Sequence, residues 1–186
     1  MTELLKLNLG SSLYHFDGWV SVDLVEDFKP EYVADVTTLD IFEDNSAAEV
    51  YAGHIFEHLH DPMTALLNWR RVLVPGGKLY ITVPDPVKAG ELWIAGEAFE
   101  GLTTNPLLGV LGVTVGFMGR SHYESYDSNP VAQAAQIHQR AVDRPILAAL
   151  MHYAGFDEIT EVTSHPAMPG QVNWQYCLSG VKPNEE

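Results

Sequence analysis

Short apolar runs separated by polar breaks follow one another through the first half of the chain. Residues 5–9 alternate apolar and polar side chains and stop at Gly10, which predicts a strand that enters a tight turn. Runs of the same kind predict four further strands, at residues 19–24, 32–35, 49–53 and 78–83.

One helix is predicted between the fourth and fifth strands. Asp61 is suited to be its N-cap and Pro62 to occupy its first position, while Leu66 and Trp69 belong to its apolar face. The segment Pro75-Gly76-Gly77 is expected to end this helix. Strands separated by connections of this sort indicate an α/β fold with a parallel, doubly wound sheet.

The second half of the chain has a different pattern. Residues 87–143 are rich in glycine and predict an insertion with one or two helices, since 186 residues suit a single domain better than two. A helix is predicted from Arg144 to a terminating Gly155. Residues 156–162 and 173–181 then predict two strands paired as a hairpin.

The amino-acid composition argues against several kinds of site and partner. Cys177 is the only cysteine, so an internal disulfide and a cysteine-based metal site are both excluded. The formal net charge is −15, which disfavours nucleic acid and anionic membranes as partners. No apolar stretch is long enough for a transmembrane helix and the N-terminus does not resemble a secretory signal, so a cytoplasmic protein is expected.

The order of several short segments resembles the class I S-adenosylmethionine-dependent methyltransferases, specifically their small type-11-like group. These segments are LNLGSS, GWVSVDL, ADVTTLDIF, EVYAGHIFEHLHDP and WRRVLVPGGKLYITVPDP, all within residues 7–86. The most specific element is FEHL followed by RVLVPGGKLYITVPD. The resemblance implies one domain with a Rossmann-like, mostly parallel sheet, helices on both faces and a C-terminal antiparallel hairpin. It also implies S-adenosylmethionine as the cofactor.

Candidate cofactor residues lie where the first two strands end. Ligands of open α/β sheets bind at the carboxyl ends of strands where the strand order reverses. Gly10 allows a ligand to approach the backbone closely, and the carboxylate of Asp23 can accept both hydroxyls of a ribose. The family's glycine-rich loop is reduced here to Gly10-Ser11-Ser12, so a short turn, helped by the Ser11 or Ser12 hydroxyl, is expected to hold the cofactor carboxylate. A plain turn glycine and a solvated strand-end acid are the alternatives.

The resemblance places three more residues at the cofactor. Asp35 corresponds to the position that contacts the adenine amino edge, with Val36 beside it, and His54 corresponds to the lining of the methionine end. Asp35 is equally typical of an acid that forms a turn, and His54 of a neutral histidine packed in the structure.

We do not expect a metal site in the same region, although a metal-binding pattern occurs there. Residues 54–58 match the H-x-x-E-H pattern of inverted zinc proteases. That pattern requires both histidines on one face of a long helix and a third ligand from a later helix. Because a strand runs into His54 and a new helix starts at Asp61, His58 is instead expected to bond the loop backbone.

The predicted function is methyl transfer from S-adenosylmethionine to a small molecule, a sugar or glycan precursor being one candidate. The catalytic residues are left unassigned, although His54 or His138 could act as a base toward a hydroxyl acceptor. One alternative is a non-catalytic, methyltransferase-like binding or scaffold protein, which the reduced loop favours. The other is a nicotinamide-dependent oxidoreductase, which the missing G-x-G-x-x-G pattern disfavours.

Two expectations concern the insertion. Its composition is typical of a lid over the site, so residues 119–126 are expected to order when ligands bind, with Tyr123 or Tyr126 facing the acceptor. The apolar segment at residues 107–115 predicts a contact with a second subunit in a homodimer.

Overall fold

The computed structural model describes residues 3–102, 104–115, 138–163 and 172–184. Within these residues seven strands form one sheet in the order β3-β2-β1-β4-β5-β7-β6. Neighbouring strands from β3 to β5 are parallel, whereas β7 is antiparallel to both β5 and β6. The strands are β1 (Leu5–Leu9), β2 (Val20–Asp23), β3 (Tyr32–Val33), β4 (Ala47–Gly53), β5 (Leu73–Pro84), β6 (Asp157–Glu161) and β7 (Gln175–Val181).

Helices occupy the connections after β4 and β5 and precede the final hairpin. They are α1 (Pro62–Val72), α2 (Pro86–Ala95), α3 (Pro106–Val115) and α4 (Arg144–Tyr153), with short 3₁₀ turns at Glu26–Phe28 and Phe56–His58. The predicted fold class, a mostly parallel doubly wound sheet that ends in an antiparallel hairpin, is confirmed. No described helix is long and apolar enough to cross a membrane.

The main core lies between the sheet and two helices. Successive residues of a strand point to opposite faces of a sheet. One face therefore carries a continuous set of buried aliphatic side chains, which packs against Leu66 and Trp69 of α1 and Leu147 and Met151 of α4. On the other face Tyr51 and Tyr80 pack with Phe16 and Trp19 from the β1–β2 connection.

The boundary between α1 and β5 differs from the sequence prediction. Asp61 caps α1 as expected, since its side chain accepts a hydrogen bond from the Thr64 amide. The helix ends at Val72, before Pro75-Gly76-Gly77, and this segment lies within β5. The prediction was wrong because the segment is held by strand-like pairing with Lys182, whose backbone bonds Gly76 and Gly77.

The first part of the predicted insertion forms a small separate cluster. Ala89 and Leu92 of α2 pack with Phe99, with Val113 of α3 and with the partly buried Trp174 before β7. Residues 119–126, for which a lid was predicted, lie outside the described residues, as do Tyr123 and Tyr126.

Candidate functional site

The strand order reverses between β1 and β4. The chain passes from β1 to β2 and β3 on one side, and then returns to β4 and β5 on the other. The connections after β1 and β4 therefore open at the same edge of the sheet, which is where ligands bind in folds of this class. Gly10 begins the first connection and His54 begins the second.

Gly10 adopts a backbone conformation that favours glycine. Its φ is +63°, and its amide donates a 2.8 Å hydrogen bond to the carbonyl of Val22. A Cβ at this position would lie 2.8 Å from Cγ1 of Ile55, closer than van der Waals contact permits. Both the left-handed turn and the close approach of Ile55 explain why glycine is found there.

Ser11 is buried, with 2% of its surface exposed. Its amide donates to the carbonyl of Val22 at 3.2 Å and its carbonyl accepts from Tyr14 at 2.8 Å. Its hydroxyl oxygen is also buried but has no hydrogen-bond partner among the described residues. Buried polar groups are nearly always paired, so this hydroxyl is a candidate partner for a ligand or an ordered water.

Asp23 ends β2 and organises the turn after β1. Its carboxylate accepts the Ser12 amide through Oδ2 at 2.8 Å and the Val25 amide through Oδ1 at 2.9 Å. A carboxylate has about four acceptor sites, so two remain after these bonds. With 8% of its surface exposed, Asp23 combines a structural role with capacity for further hydrogen bonds.

Asp35 and Val36 follow β3. The Asp35 side chain is exposed, and its Oδ1 accepts the Thr37 amide at 2.7 Å in a local turn. Val36 is buried in the main core, where its carbonyl accepts a 2.7 Å hydrogen bond from Nε1 of Trp69. In these contacts both residues have structural roles, and their predicted contact with adenine remains a prediction.

His54 is fixed at the end of β4 by several contacts. Its φ is +52° and its amide donates to the carbonyl of Thr82 at 2.8 Å. The ring contacts Oε1 of Gln175 through Nε2 at 2.8 Å and packs against Trp174 at a centroid distance of 5.6 Å. Burial alone would lower the pKa of His54, but Glu57 and Gln175 together raise that pKa above its usual value.

Glu57 was not among the cofactor residues predicted from the sequence, but it lies buried among three histidines beside the turn after β4. Only 2% of its side chain is exposed, and neither carboxylate oxygen accepts a hydrogen bond of good geometry from a described residue. Its Oε1 lies 3.4 Å from Nδ1 of His54, 3.8 Å from Nε2 of His58 and 3.9 Å from Nε2 of His138. Burial would raise the pKa of Glu57, but the surrounding imidazoles lower it.

The inverted zinc-protease geometry is not formed. His54 ends a strand with a positive φ, and residues 56–58 form one turn of 3₁₀ helix. His54 and His58 therefore do not share the face of a long α-helix, which that motif requires.

Part of the amino-acid sequence is similar to a known protein family. Residues 3–81, somewhat less than half of the chain, match the sequence profile of the methyltransferase domain family. No curated protein matches the chain in sequence.

Solved structures of methyltransferases share the fold at low sequence identity. An S-adenosylmethionine-dependent methyltransferase from Thermotoga maritima, described as a possible histamine N-methyltransferase, has a TM-score of 0.55 and 16% identity over 98% of this chain and 84% of its own. An S-adenosylmethionine-dependent methyltransferase from Mesorhizobium loti has a TM-score of 0.57 and 13% identity over 96% and 90%.

A third structure is phosphoethanolamine N-methyltransferase 2 from Haemonchus contortus in complex with S-adenosylmethionine. Its TM-score is 0.54 and its identity 15%, over 99% of this chain and 50% of that one, so the chain spans half its length. At these identities the likeness shows a shared fold. Residues 3–81 are thus similar to the methyltransferase domain family, and the described sheet has the fold of the S-adenosylmethionine-dependent methyltransferases named above.

Proposed function

We propose that the protein binds S-adenosylmethionine at the carboxyl edge of β1, β2 and β4 and transfers its methyl group to a small molecule. The observation that carries this proposal is the buried, unpaired hydroxyl of Ser11 beside the left-handed turn at Gly10. An unpaired buried hydroxyl costs free energy, which a hydrogen bond to a bound ligand would offset. It lies where the strand order reverses, and methyltransferases are the family matched here.

Two residues on the β1–β2 side would hold the cofactor. The absence of a side chain at Gly10 permits the left-handed turn and the close packing of Ile55. Within this turn, Ser11 would offer its hydroxyl to the carboxylate of the amino-acid portion. The remaining acceptor sites of Asp23 suit the two hydroxyls of the ribose. Because Asp23 also holds the amides of Ser12 and Val25, its carboxylate is already oriented before any ligand binds.

The other half of the site would face the methyl group and the acceptor. The sulfonium of the cofactor supplies an electrophilic methyl group, so the main task of the chain is to position the acceptor in line with it. His54 suits this position because Thr82 and Gln175 fix it while 31% of its side chain stays exposed. A hydroxylated acceptor such as a sugar or glycan precursor is our proposal for the substrate class.

Transfer of tritiated methyl from S-adenosylmethionine to a panel of small sugars and sugar phosphates would test the activity. We expect labelled product with at least one hydroxylated acceptor, and much less product from the Ser11→Val variant. Ser46→Val is a matched control, since Ser46 is part of the β3–β4 connection, away from the Gly10 turn. Labelling of amines alone would contradict the proposed substrate class.

A second candidate is a methyltransferase-like protein that binds the cofactor without turnover. The observation that favours it is the β1–β2 connection, where residues 10–19 form turns and no helix. A helix N-terminus after β1 would otherwise provide free amides for the cofactor carboxylate. Saturable cofactor binding without product from any acceptor would support this candidate.

A further inference from the structure

Three metal-ligating side chains converge beside the turn that follows β4. One ligand atom from each of Glu57, His58 and His138 lies within 4.8 Å of the other two. Oε1 of Glu57 is 3.8 Å from Nε2 of His58 and 3.9 Å from Nε2 of His138. The exposed fractions of these side chains are 2%, 15% and 8%, so the cluster is largely shielded from water.

The Glu57 carboxylate lacks the hydrogen bonds that a buried anion normally has. Both of its oxygens are buried and have no hydrogen-bond partner among the described residues. Burying an ionised carboxylate without pairing it is costly, and such groups in proteins are paired with a cation or coordinate a metal. The nearest basic group is the His54 ring, whose Nδ1 lies 3.4 Å from Oε1, so both oxygens retain the capacity to coordinate a metal.

His138 has the tautomer that metal binding requires. Its Nδ1 lies 3.1 Å from the carbonyl oxygen of Val113. Because a carbonyl can only accept, Nδ1 carries the proton, and in the neutral ring the lone pair is then on Nε2, the atom near Glu57. A histidine ligand whose second nitrogen donates to a backbone carbonyl is the usual arrangement around protein-bound metals.

Backbone contacts hold the two parts of the cluster together. The amide of Gln139 donates a 2.8 Å hydrogen bond to the carbonyl of Glu57. The guanidinium of Arg140 donates to the carbonyls of Leu59 and His60. These hydrogen bonds hold His138 next to the Glu57–His58 turn without a metal, so the three ligands are close together before a metal binds.

We propose that Glu57, His58 and His138 bind one divalent transition-metal ion of the zinc type. Zinc bonds to histidine nitrogen and carboxylate oxygen are about 2.0–2.2 Å long, which places tetrahedral ligand atoms roughly 3.4 Å apart. The three ligand atoms lie within 4.8 Å of one another, so metal binding requires them to move closer together. Two histidines and one carboxylate are a known catalytic zinc set and leave a position open for water or a heteroatom of the acceptor. This proposal departs from the sequence expectation of no metal, because His138 lies beside Glu57 and His58 in the folded chain.

Without a metal, His54 would be the partner of the carboxylate. Its Nδ1 lies 3.4 Å from Oε1 of Glu57, so a protonated His54 could neutralise Glu57 by itself. A metal-free ion pair of this kind is the outcome that would overturn the proposal.

Zinc titration of the metal-free protein distinguishes these possibilities. Protein stripped with a chelator and dialysed at neutral pH would be titrated with Zn²⁺ by calorimetry against a competing chelator. We expect one zinc per chain for the wild type, and a loss of at least about tenfold in affinity in Glu57→Gln and in His138→Gln. His60→Gln and His152→Gln are matched controls, since both histidines are exposed, and they should keep the wild-type affinity.

Each other outcome overturns the proposal. The proposal is wrong if the wild type does not bind zinc saturably, or if both ligand variants bind zinc with unchanged affinity. It is also wrong if a control variant loses zinc binding. Circular dichroism would check that the variants fold. If a ligand variant does not fold, the visible absorption spectrum of wild-type protein with bound Co²⁺ tests the site instead. Visible absorption typical of four-coordinate Co²⁺ supports the site, and its absence refutes it. Since no cofactor is used, the result is independent of the proposed methyl transfer.

Discussion

Gly10 and Ile55 contact each other across the point where the strand order of the sheet reverses. A Cβ at Gly10 would lie 2.8 Å from Cγ1 and 2.9 Å from Cβ of Ile55. The second distance involves an atom bonded to the backbone, so rotation of the Ile55 side chain cannot relieve it. The connection after β1 and the connection after β4 are thus packed against each other without room for one added methyl group.

Substitution of Gly10 by alanine should therefore destabilise the protein and weaken cofactor binding. The φ of +63° disfavours a residue with a Cβ by about 1–2 kcal/mol, and the clash adds about 1–3 kcal/mol. Urea denaturation would measure the change in the free energy of unfolding. Calorimetry with S-adenosylhomocysteine would measure the change in affinity.

Gly18→Ala is a matched control within the same connection. Gly18 has a φ of +78°, but no atom lies within 4 Å of the position its Cβ would take. Only the backbone cost of about 1–2 kcal/mol is expected, with little change in cofactor affinity. Equal losses in the two variants would show that the contact with Ile55 has no effect.

Asp23→Ala should weaken binding of S-adenosylhomocysteine by roughly 1–3 kcal/mol, because the ribose hydroxyls lose their acceptor. The substitution should also lower the stability of the protein, since the amides of Ser12 and Val25 lose their hydrogen-bond acceptor. Calorimetry at a temperature where the variant is folded separates the two effects. The exposed Asp17 of the same connection provides the control variant Asp17→Ala. An unchanged dissociation constant would remove Asp23 from the site.

The strand-end residues were predictable from sequence because each depends on a local pattern. Period-two alternation and a following glycine or acid are enough to place Gly10 and Asp23 at strand ends. The end of α1 was not predictable in this way. Pro75-Gly76-Gly77 is typical of a helix stop, but the pairing of Gly76 and Gly77 with Lys182 draws the segment into β5. That pairing joins residues about a hundred positions apart.

The surroundings of Glu57 could not be predicted from the sequence for the same reason. The segment from His54 to His58 is visible as a motif, but His138 follows it by eighty positions and joins it only in the folded chain. Burial of both Glu57 oxygens is likewise a property of the packed structure. Sequence reasoning could identify chemically capable residues there, but not the atoms that face one another.

Trp69→Phe should destabilise the protein by about 2–3 kcal/mol. The indole Nε1 donates a 2.7 Å hydrogen bond to the buried carbonyl of Val36, which phenylalanine would leave unpaired beside a small cavity. Trp93→Phe is the control, because 51% of Trp93 is exposed, and its effect should stay within about 0.5 kcal/mol. Similar effects of the two changes on urea denaturation would contradict the structural role of Trp69.

Asp85→Ala should lower stability by about 2–4 kcal/mol. The buried Asp85 carboxylate caps α2 by accepting the Val87 and Lys88 amides, and it also pairs with Arg144. Thermal or urea denaturation would measure the loss. Glu161→Gln removes the other, exposed partner of Arg144 and should cost less than about 1 kcal/mol. A loss as large in Glu161→Gln would show that burial of Asp85 does not set the strength of the pair.

Calorimetric titration with S-adenosylhomocysteine, paired with thermal unfolding, tests the central claim most directly. If Gly10, Ser11 and Asp23 form the cofactor site, wild-type protein should bind one equivalent with micromolar affinity, and excess ligand should raise its melting temperature. NAD in the same experiment should produce neither effect. Absence of heat and of any thermal shift with S-adenosylhomocysteine at millimolar concentration would contradict the account.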